Sequence, residues 1–395
     1  MALGLYLSVP FCRTKCSYCN FASDVFSRAM FAGYIERICA DIERATRIAE
    51  QMGGQFENSV DTVYLGGGTP TLLDSAQLER LFVTIRQNFS LQSQTEITVE
   101  CAPGTLSAPV LEVLLRCGVN RVSLGVQSFV NTEAAAVGRL HKRATVFEDL
   151  ENLRAAGVTN INIDLIAGLP HQTAASWDKS LSDAIATAVP HISVYMLEAD
   201  EDSRLGRELI AGGTRYHAHY VPEDDSTADF YLAACERLNT ADISQYEISN
   251  FARHGFESRH NLKYWTRKPY LGFGVDAHSM LEVDKHGFEV IRFATPDSLE
   301  DYIAAKPLKR TPVSHRDALE ETFFLGLRLV RGVDLRQAAL RFGADSINEF
   351  AATITGLKEN GLLESDGSVV RLTTRGRLLS NEVFEKFIAV AASVG

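Results

Sequence analysis

Six short apolar runs alternate with longer helical patterns through the first half of the chain. The runs occupy residues 5–9, 62–65, 96–100, 121–126, 161–166 and 191–196. Strands that alternate with helices predict a parallel sheet, because each helix returns the chain to the same edge. We expect a full or partial TIM-like barrel of six β/α units, with an open doubly wound sheet as the alternative. Polar and glycine-rich segments follow the strand ends, where such barrels place their active sites.

The rest of the chain changes character twice. We assign three regions: a barrel over 1–235, an aromatic-rich segment over 236–305, and a smaller C-terminal domain over 306–395. The last region is predicted to contain successive helices and then a hairpin that turns at Asp366-Gly367, an order typical of a winged helix. Residues 200–225 are polar and carry turn formers, so we interpret them as an irregular connector.

Charge and cysteine content limit the classes of function. The formal net charge is −11, which disfavours a nucleic-acid partner because phosphate neutralisation needs clustered Lys and Arg. Seven cysteines, an odd number with three close together, predict free thiols in a reducing compartment, the cytoplasm. We find no signal segment and no apolar run near the roughly 20 residues that span a bilayer. Peripheral membrane contact is left open.

The most specific motif is CRTKCSYC, which places Cys12, Cys16 and Cys19 directly after the first strand. Thiolates are the ligands of iron–sulfur clusters, and this spacing lets one loop wrap a cubane corner. Three protein thiolates leave one iron open to an amine and a carboxylate of a small molecule. A zinc site completed by a distant His or Cys is the alternative from the spacing alone.

A second motif follows the second strand, where Gly66, Gly67 and Gly68 precede Thr69 and Pro70. Consecutive glycines let backbone amides and carbonyls approach a ligand with no Cβ in the way. A tight turn would explain the glycines equally well. Their position beside the cysteine motif favours a cradle for an aminoacyl group.

These motifs and others along nearly the whole chain resemble the radical SAM superfamily, and within it the coproporphyrinogen III oxidase-like group. The matching segments are LYLSVPFCRTKCSYCNFAS, VYLGGGTPTLL, ITVECAPGTL, RVSLGVQSF, GRLH, IDLIAGLPHQT, YEISNFAR, HNLKYW, YLGFG, GLLE and RGRLLSNEVF. The resemblance implies a radical SAM barrel with a [4Fe–4S] cluster on the three cysteines and S-adenosylmethionine (SAM) beside it.

The resemblance also implies a set of SAM-binding residues. Tyr6 would lie against SAM beside the cluster, and Gly67, Gly68 and Thr69 would receive its methionine end. Polar contacts to its ribose and carboxylate would come from Glu100, Gln127, Arg139 and Asp164. Each residue alone has a simpler explanation, such as a strand cap or a surface charge. Four positions depart from the family's usual residues: Ser8 stands for His, Asn20 for Asp, Ala102 for Asn, and Asp276 for a small residue.

Two features select a branch of this group. The enzyme branch extends its motif to C-x3-C-x2-C-x-C, but here Phe21 stands two residues after Cys19, which resembles the haem-chaperone branch called HemW. The segment HNLKYW is associated in that branch with haem binding, so the resemblance implies His260 as a haem ligand. A buried core histidine with satisfied hydrogen bonds is the alternative.

The favoured hypothesis is a haem chaperone with a cluster and SAM in its barrel, serving respiratory haem-acceptor proteins and supplied by an electron donor. The rival is a radical SAM enzyme acting on a porphyrin, either an oxygen-independent coproporphyrinogen III dehydrogenase or a haem-modifying enzyme. A radical SAM nucleic-acid modifier is the third hypothesis, which the acidic charge disfavours.

Overall fold

All six predicted strands are present and lie side by side, in chain order, within one twelve-stranded sheet. The structure, a computed structural model, describes residues 1–198, 200–283 and 289–388. Residues 389–395 of the predicted C-terminal domain lie outside the described residues. The strands are β1 (Leu3–Val9), β2 (Ser59–Gly67), β3 (Ser90–Cys101), β4 (Arg121–Gln127), β5 (Asn160–Ala167), β6 (His191–Met196), β7 (Ser244–Gln245), β8 (Asn250–Ala252), β9 (Tyr270–Phe273), β10 (His278–Glu282), β11 (Val290–Ala294), β12 (Lys309–Val313), β13 (Val333–Asp334), β14 (Leu363–Asp366) and β15 (Val369–Leu372).

Helices follow most of the strands. They are α1 (Ala29–Glu43), α2 (Ala45–Met52), α3 (Ser75–Asn88), α4 (Ala108–Arg116), α5 (Asn131–Ala136), α6 (Arg143–Ala155), α7 (Ala174–Ala186), α8 (Arg204–Ile210), α9 (Asp224–Thr240), α10 (Arg259–Trp265), α11 (Leu299–Ile303), α12 (His315–Gly326), α13 (Leu335–Phe342), α14 (Ala344–Asn348), α15 (Ala351–Glu359), α16 (Thr374–Leu378) and α17 (Ser380–Glu385). Across the described residues, no helix combines the length and apolar character needed to cross a membrane.

The strand order decides between the two predicted architectures. Each of the pairs from β1–β2 to β5–β6 is parallel, and the full order is β12-β11-β10-β9-β1-β2-β3-β4-β5-β6-β8-β7. A doubly wound sheet reverses its strand order at a switch point, whereas this order does not reverse through β6. The partial barrel is therefore confirmed and the doubly wound alternative is wrong. Within the described residues, β12 and β7 end the sheet on opposite sides, so the barrel is open.

The core explains why the strands form where the apolar runs occur. Leu3, Leu5, Leu7 and Val9 of β1 are all 0% exposed, because side chains on one face of a covered parallel sheet pack beneath the helices. The carboxyl ends of β1 to β6 meet at one edge. The segments that follow these strands, including both sequence motifs, therefore reach the same place.

The predicted irregular connector at 200–225 is partly wrong, since it contains α8. Ser203 begins this helix, and its hydroxyl accepts a hydrogen bond from the Gly206 N–H at 2.8 Å, which is the usual role of a serine at a helix start. The following turn, Arg215–Tyr220, is a 3-10 segment with a kink.

The C-terminal helices pack around a second apolar cluster, which includes Phe323, Phe350 and Phe387. A small antiparallel sheet of β13, β15 and β14 lies beside them. The predicted hairpin is present between β14 and β15, and Gly367 at its turn has a φ of 58°, which glycine adopts without strain.

Candidate functional site

The cysteine loop, from Cys12 to Cys19, follows β1 at the carboxyl edge of the sheet. Hydrogen bonds to the backbone carbonyls of the segment that follows hold it in place. The Cys12 N–H donates to the Asp24 carbonyl at 3.0 Å. The Lys15 ammonium donates to the carbonyl of Phe21 at 2.6 Å and to a second carbonyl two residues further on at 2.6 Å. These contacts hold the loop folded back on itself, as wrapping one corner of a cluster requires.

The three predicted ligand thiols line one cavity of about 440 Å³. Cys16 is buried, Cys12 and Cys19 are half-buried, and all three are free of disulfides. Burial raises the pKa of the Cys12 thiol above its ordinary value. Among the described residues, no three side chains of His, Cys, Asp or Glu converge tightly enough to hold a single ion. The three thiols border one shared space, as the ligands of a cluster do.

The glycine cradle, Gly66 to Gly68, lies directly against the cysteine loop. The Gly68 N–H donates to the Val9 carbonyl at 2.8 Å. A Cβ added at Gly68 would lie 2.7 Å from the Phe11 carbonyl oxygen and 3.0 Å from the Cys12 sulfur. Only glycine allows this approach. The cradle backbone therefore lies within contact distance of the cysteine loop, so a small group could be held by both.

Glu100, at the end of β3, faces the same cavity. Its carboxylate accepts hydrogen bonds from the Tyr64 hydroxyl at 2.8 Å and from the Gly67 N–H at 3.2 Å. Burial raises the pKa of Glu100 to about 7, against the opposing effect of the Tyr64 hydrogen bond. The carboxyl group therefore changes charge near neutral pH and holds the cradle in place.

Asp164, at the end of β5, is held by a polar network inside the barrel. It accepts from the Ser123 hydroxyl at 3.0 Å and from the Asn162 amide at 2.8 Å. The Asn162 carbonyl oxygen in turn lies 2.6 Å from His191 Nδ1. Burial raises the pKa of Asp164. This network orients the carboxylate toward the cavity.

Tyr64 and Ser123 also line the cavity, although the sequence motifs did not indicate either residue. The available signal was the two-residue period of strands. Tyr64 stands two residues before the cradle on β2, and Ser123 two before Gly125 on β4, so each shares the inward face of its strand.

Gln127 and Arg139 complete the predicted polar set on the β4 side of the cavity. Gln127 has a φ of 66° where β4 shifts register against β5, a left-handed conformation that is strained for this residue. The Arg139 guanidinium donates to the Gly125 carbonyl and, at 3.6 Å, to the Cys16 sulfur. Arg139 therefore connects the polar wall to the cysteine loop.

Two predicted residues lie outside this group. The described lining of the cavity does not include Tyr6. Its ring centroid lies 6.1 Å from that of Tyr64, its register partner on β2, and 6.4 Å from that of His260. The contact of Tyr6 with SAM stays a prediction.

His260 is almost fully buried, with 1% of its surface exposed. Its Nδ1 lies 2.9 Å from the Thr62 hydroxyl and its Nε2 lies 2.8 Å from the Tyr264 hydroxyl. Burial, reinforced by Lys263, lowers the pKa of His260 to about 3. Both ring nitrogens are therefore occupied, and ligation of haem iron would require these bonds to break. These contacts favour the buried-histidine alternative, and His260 as the haem ligand stays a prediction.

The four departures from the family pattern have different surroundings. Asn20 donates to the Asp200 carboxylate at the cavity, and Ala102 lines the cavity. Ser8 is 6% exposed, while Asp276 has a φ of 52° in a turn after β9. Asn20 and Ala102 therefore alter the cavity wall, whereas Ser8 and Asp276 do not line it.

Comparison with known proteins agrees with this geometry. The sequence model of the Radical SAM superfamily matches residues 6–184, and that of the HemN C-terminal domain matches residues 313–379. Coproporphyrinogen III oxidase (HemN) from Escherichia coli, a radical SAM enzyme, superimposes with a TM-score of 0.83 at 25% identity, covering 98% of this chain and 90% of that chain. Membership of the superfamily implies a [4Fe–4S] cluster and SAM.

Two curated relatives match almost end to end. "Heme chaperone HemW" of Bacillus subtilis (strain 168) is 35% identical, over 97% of this chain and 98% of the relative. "Heme chaperone HemW" of Lactococcus lactis is 33% identical, over 97% of this chain and 96% of the relative. Identity at this level across both domains, on a barrel with the cysteine loop and cradle intact, shows that the chain belongs to the HemW family of the radical SAM superfamily.

Proposed function

We propose that this protein is a haem chaperone, which binds haem and delivers it to acceptor proteins. The observation that carries the proposal is the near-complete match to proteins named for that function. A structural observation supports it: the cavity, the cysteine loop and the glycine cradle form one continuous site at the carboxyl edge of the barrel.

The proposed roles within that site follow from the contacts. Cys12, Cys16 and Cys19 bind the [4Fe–4S] cluster, which when bound supplies an open iron for SAM. The cradle residues Gly67, Gly68 and Thr69 receive the methionine end of SAM. The polar wall that contacts its ribose and carboxylate consists of Glu100, Gln127, Arg139 and Asp164, and Tyr6 lies against SAM beside the cluster.

Phe21 supports the chaperone over the enzyme. Its side chain is 62% exposed at the mouth of the cavity and offers no sulfur where the enzyme branch carries a further cysteine.

The rival function is radical SAM catalysis on a porphyrin, and the likeness to HemN is the observation that favours it. An anaerobic assay with coproporphyrinogen III, SAM and a reductant separates the two proposals. Protoporphyrinogen formed only when this protein is present would make it the enzyme.

The proposed partners are haem, acceptor proteins of respiration and an electron donor for the cluster, in the cytoplasm. The net charge of −11 supports the expectation that nucleic acid is not among them. Peripheral contact with a membrane would bring the protein near respiratory acceptors.

Anaerobic reconstitution followed by addition of SAM and then haemin tests the proposal. We expect one [4Fe–4S] cluster per chain, a SAM-dependent change in the electron paramagnetic resonance of the reduced cluster, and a Soret band. Gly68→Ala should weaken SAM binding roughly tenfold, since overpacking costs about 1–3 kcal/mol. Gly33→Ala is the matched control, because its added Cβ would meet nothing within 4 Å. A wild-type protein that takes up no haem would end the proposal.

A further inference from the structure

The segment that follows β6 packs against the cysteine loop. This strap, defined as residues 200–210, consists of a turn and α8. At the start of α8, the Leu205 N–H donates to the Ser17 carbonyl at 2.7 Å, and the Arg204 guanidinium donates to the Lys15 carbonyl. These two carbonyls flank the middle cysteine of the motif. The strap therefore fixes the backbone on both sides of that predicted ligand.

A third contact lies beside Cys19. The next residue, Asn20, donates through its amide to the Asp200 carboxylate. Hydrogen bonds from the Asp202 N–H and then from Asn20 lower the pKa of Asp200, so this carboxylate is an anion at neutral pH. Asp, the family's usual residue at position 20, would place a second carboxylate here and remove the donor. The departure at position 20 therefore makes this contact possible.

Apolar packing joins the strap to the loop as well. Tyr18, between the second and third cysteines, packs against a buried cluster that includes Leu205 of α8 and Val137. Both Leu205 and Val137 are 0% exposed. The next residue of α8, Gly206, lies tightly against the turn, since an added Cβ would be 2.0 Å from the Asp200 carbonyl oxygen. A larger residue at this position would therefore displace the strap from the loop.

The first cysteine is held by different parts of the molecule. The Cys12 N–H donates to the Asp24 carbonyl at 3.0 Å, and the carbonyl of the preceding Phe11 accepts from the Thr69 N–H at 2.8 Å. Cys12 is therefore fixed by the end of β1 and the segment that follows β2. The second and third cysteines are fixed by the strap and by the turn after α5, to which the Ser17 N–H donates at 3.1 Å.

We propose that the strap is a positioning device for the cluster, in which Asn20, Arg204 and the Leu205 N–H hold Cys16 and Cys19 in place for iron. Contacts to the residues around metal ligands commonly orient those ligands and slow the loss of the metal. This inference rests on the proposed cluster site and is independent of haem delivery. Asn20 and Arg204 are positioning residues, because they act through the cysteines and not on the iron.

Loss of iron to a chelator tests the proposal. The full-length protein is reconstituted anaerobically and mixed with ferrozine, and iron release is followed by the absorbance of the iron–ferrozine complex. We expect Gly206→Ala to release iron roughly tenfold faster than the wild type, and Asn20→Asp roughly threefold faster. Combining Asn20→Asp with Asp200→Asn should restore the wild-type rate, because this exchanged pair regains one donor and one acceptor at the same total charge. Gly356→Ala on α15 is the control, since its added Cβ would meet nothing within 4 Å.

Thiol labelling of the cluster-free protein separates a local effect from a general one. Trypsin cleaves between the first and second cysteines, so Cys12 is on a different peptide from Cys16 and Cys19. Labelling with iodoacetamide is followed by mass spectrometry of these peptides. We expect Gly206→Ala to speed the labelling of Cys16 and Cys19 roughly tenfold and to leave Cys12 within about twofold of the wild type.

The outcomes separate the strap from the cluster site. If the wild type binds no cluster, the proposed cluster site fails, while the labelling pattern still tests the strap. If the exchanged pair releases iron as fast as Asn20→Asp alone, the assignment of the strap is overturned. Equal acceleration of labelling at all three cysteines in Gly206→Ala would also overturn it, because the strap would then only stabilise the fold. Should the glycine variant fail to fold, the Asn20 and Asp200 variants decide.

Discussion

Glu100 is a buried acid whose charge depends on a balance of opposing contacts. Burial favours the neutral carboxyl group, as does the nearby Asp164, while hydrogen bonds from Tyr64 and Gly67 favour the anion. The result is a pKa of about 7 in the folded protein, against 4.5 for the ordinary residue. The unfolded chain therefore ionises at lower pH than the folded one.

This difference predicts a pH-dependent stability with a definite sign. The stabilising contribution of the protonated group is fully present below pH 4.5 and is lost as the pH rises through about 7. Between pH 4.5 and about 7, we expect the free energy of unfolding of the wild type to fall by up to about 3 kcal/mol relative to that of Glu100→Gln. The estimate takes about 1.4 kcal/mol for each unit of pKa difference. Urea denaturation of the cluster-free protein across pH measures it. Parallel pH profiles for the two proteins would contradict the prediction, and Glu43→Gln on the exposed side of α1 is the control.

At the level of elements, the six strands and the edge they share were predictable because their signals are local. An apolar run predicts a buried strand, and parallel strands bring their carboxyl ends together. Glu100 and Asp164 could therefore be assigned to one site without a structure. Helix starts depend on a few local hydrogen bonds: Thr173 is the N-cap of α7, and Ser176 completes its capping box.

Which inward-facing side chains reach the cavity was not predictable. The alternation of side chains along a strand gives the face that each one occupies but not its distance from the cavity. Tyr6 is the register partner of Tyr64 on the neighbouring strand, yet of the two only Tyr64 lines the cavity. His260 depends on how α10 is attached. Its N–H donates to Glu96 at 3.1 Å and its ring reaches Thr62, contacts between residues distant in sequence that no local pattern reports.

The attachment of α10 predicts a structural role for His260. His260→Ala would leave a cavity and two unpaired hydroxyls, those of Thr62 and Tyr264, so we expect the free energy of unfolding to fall by about 2–4 kcal/mol. Urea denaturation measures this, with exposed His254→Ala as the control, expected within about 0.5 kcal/mol of wild type. Haemin affinity, measured where the variant is folded, should equal that of the wild type. Loss of the Soret band with unchanged stability would instead make His260 the iron ligand.

Across the whole molecule, the C-terminal helices are joined to the barrel by buried charge. Glu321 on α12 accepts from Arg267 Nε at 2.8 Å and from Arg292 at 3.0 Å. Arg267 follows α10 and Arg292 belongs to β11, so one carboxylate links three elements from different parts of the chain. Arg328 adds a contact over the ring of Trp265, 4.3 Å from its centroid. The division at residue 306 remains a prediction, and this junction is where it can be tested.

Removing the charge of Glu321 while keeping its shape should loosen that junction. Glu321→Gln leaves two guanidinium groups without their carboxylate, and breaking a buried pair costs about 3–5 kcal/mol. Glu364→Gln is the control, because its partner Arg371 and its own side chain are 38% and 51% exposed, where a pair contributes about 1 kcal/mol or less. Trp177→Phe in both backgrounds leaves Trp265 as the sole tryptophan, since the chain has 2 Trp, and excitation near the red edge of tryptophan absorption avoids the tyrosines. We expect its urea transition to precede the loss of circular dichroism in the Glu321 variant alone, because a weakened junction lets the C-terminal unit unfold before the barrel. Coincident transitions in both variants would mean that the two parts unfold as one unit whose cohesion does not depend on Glu321.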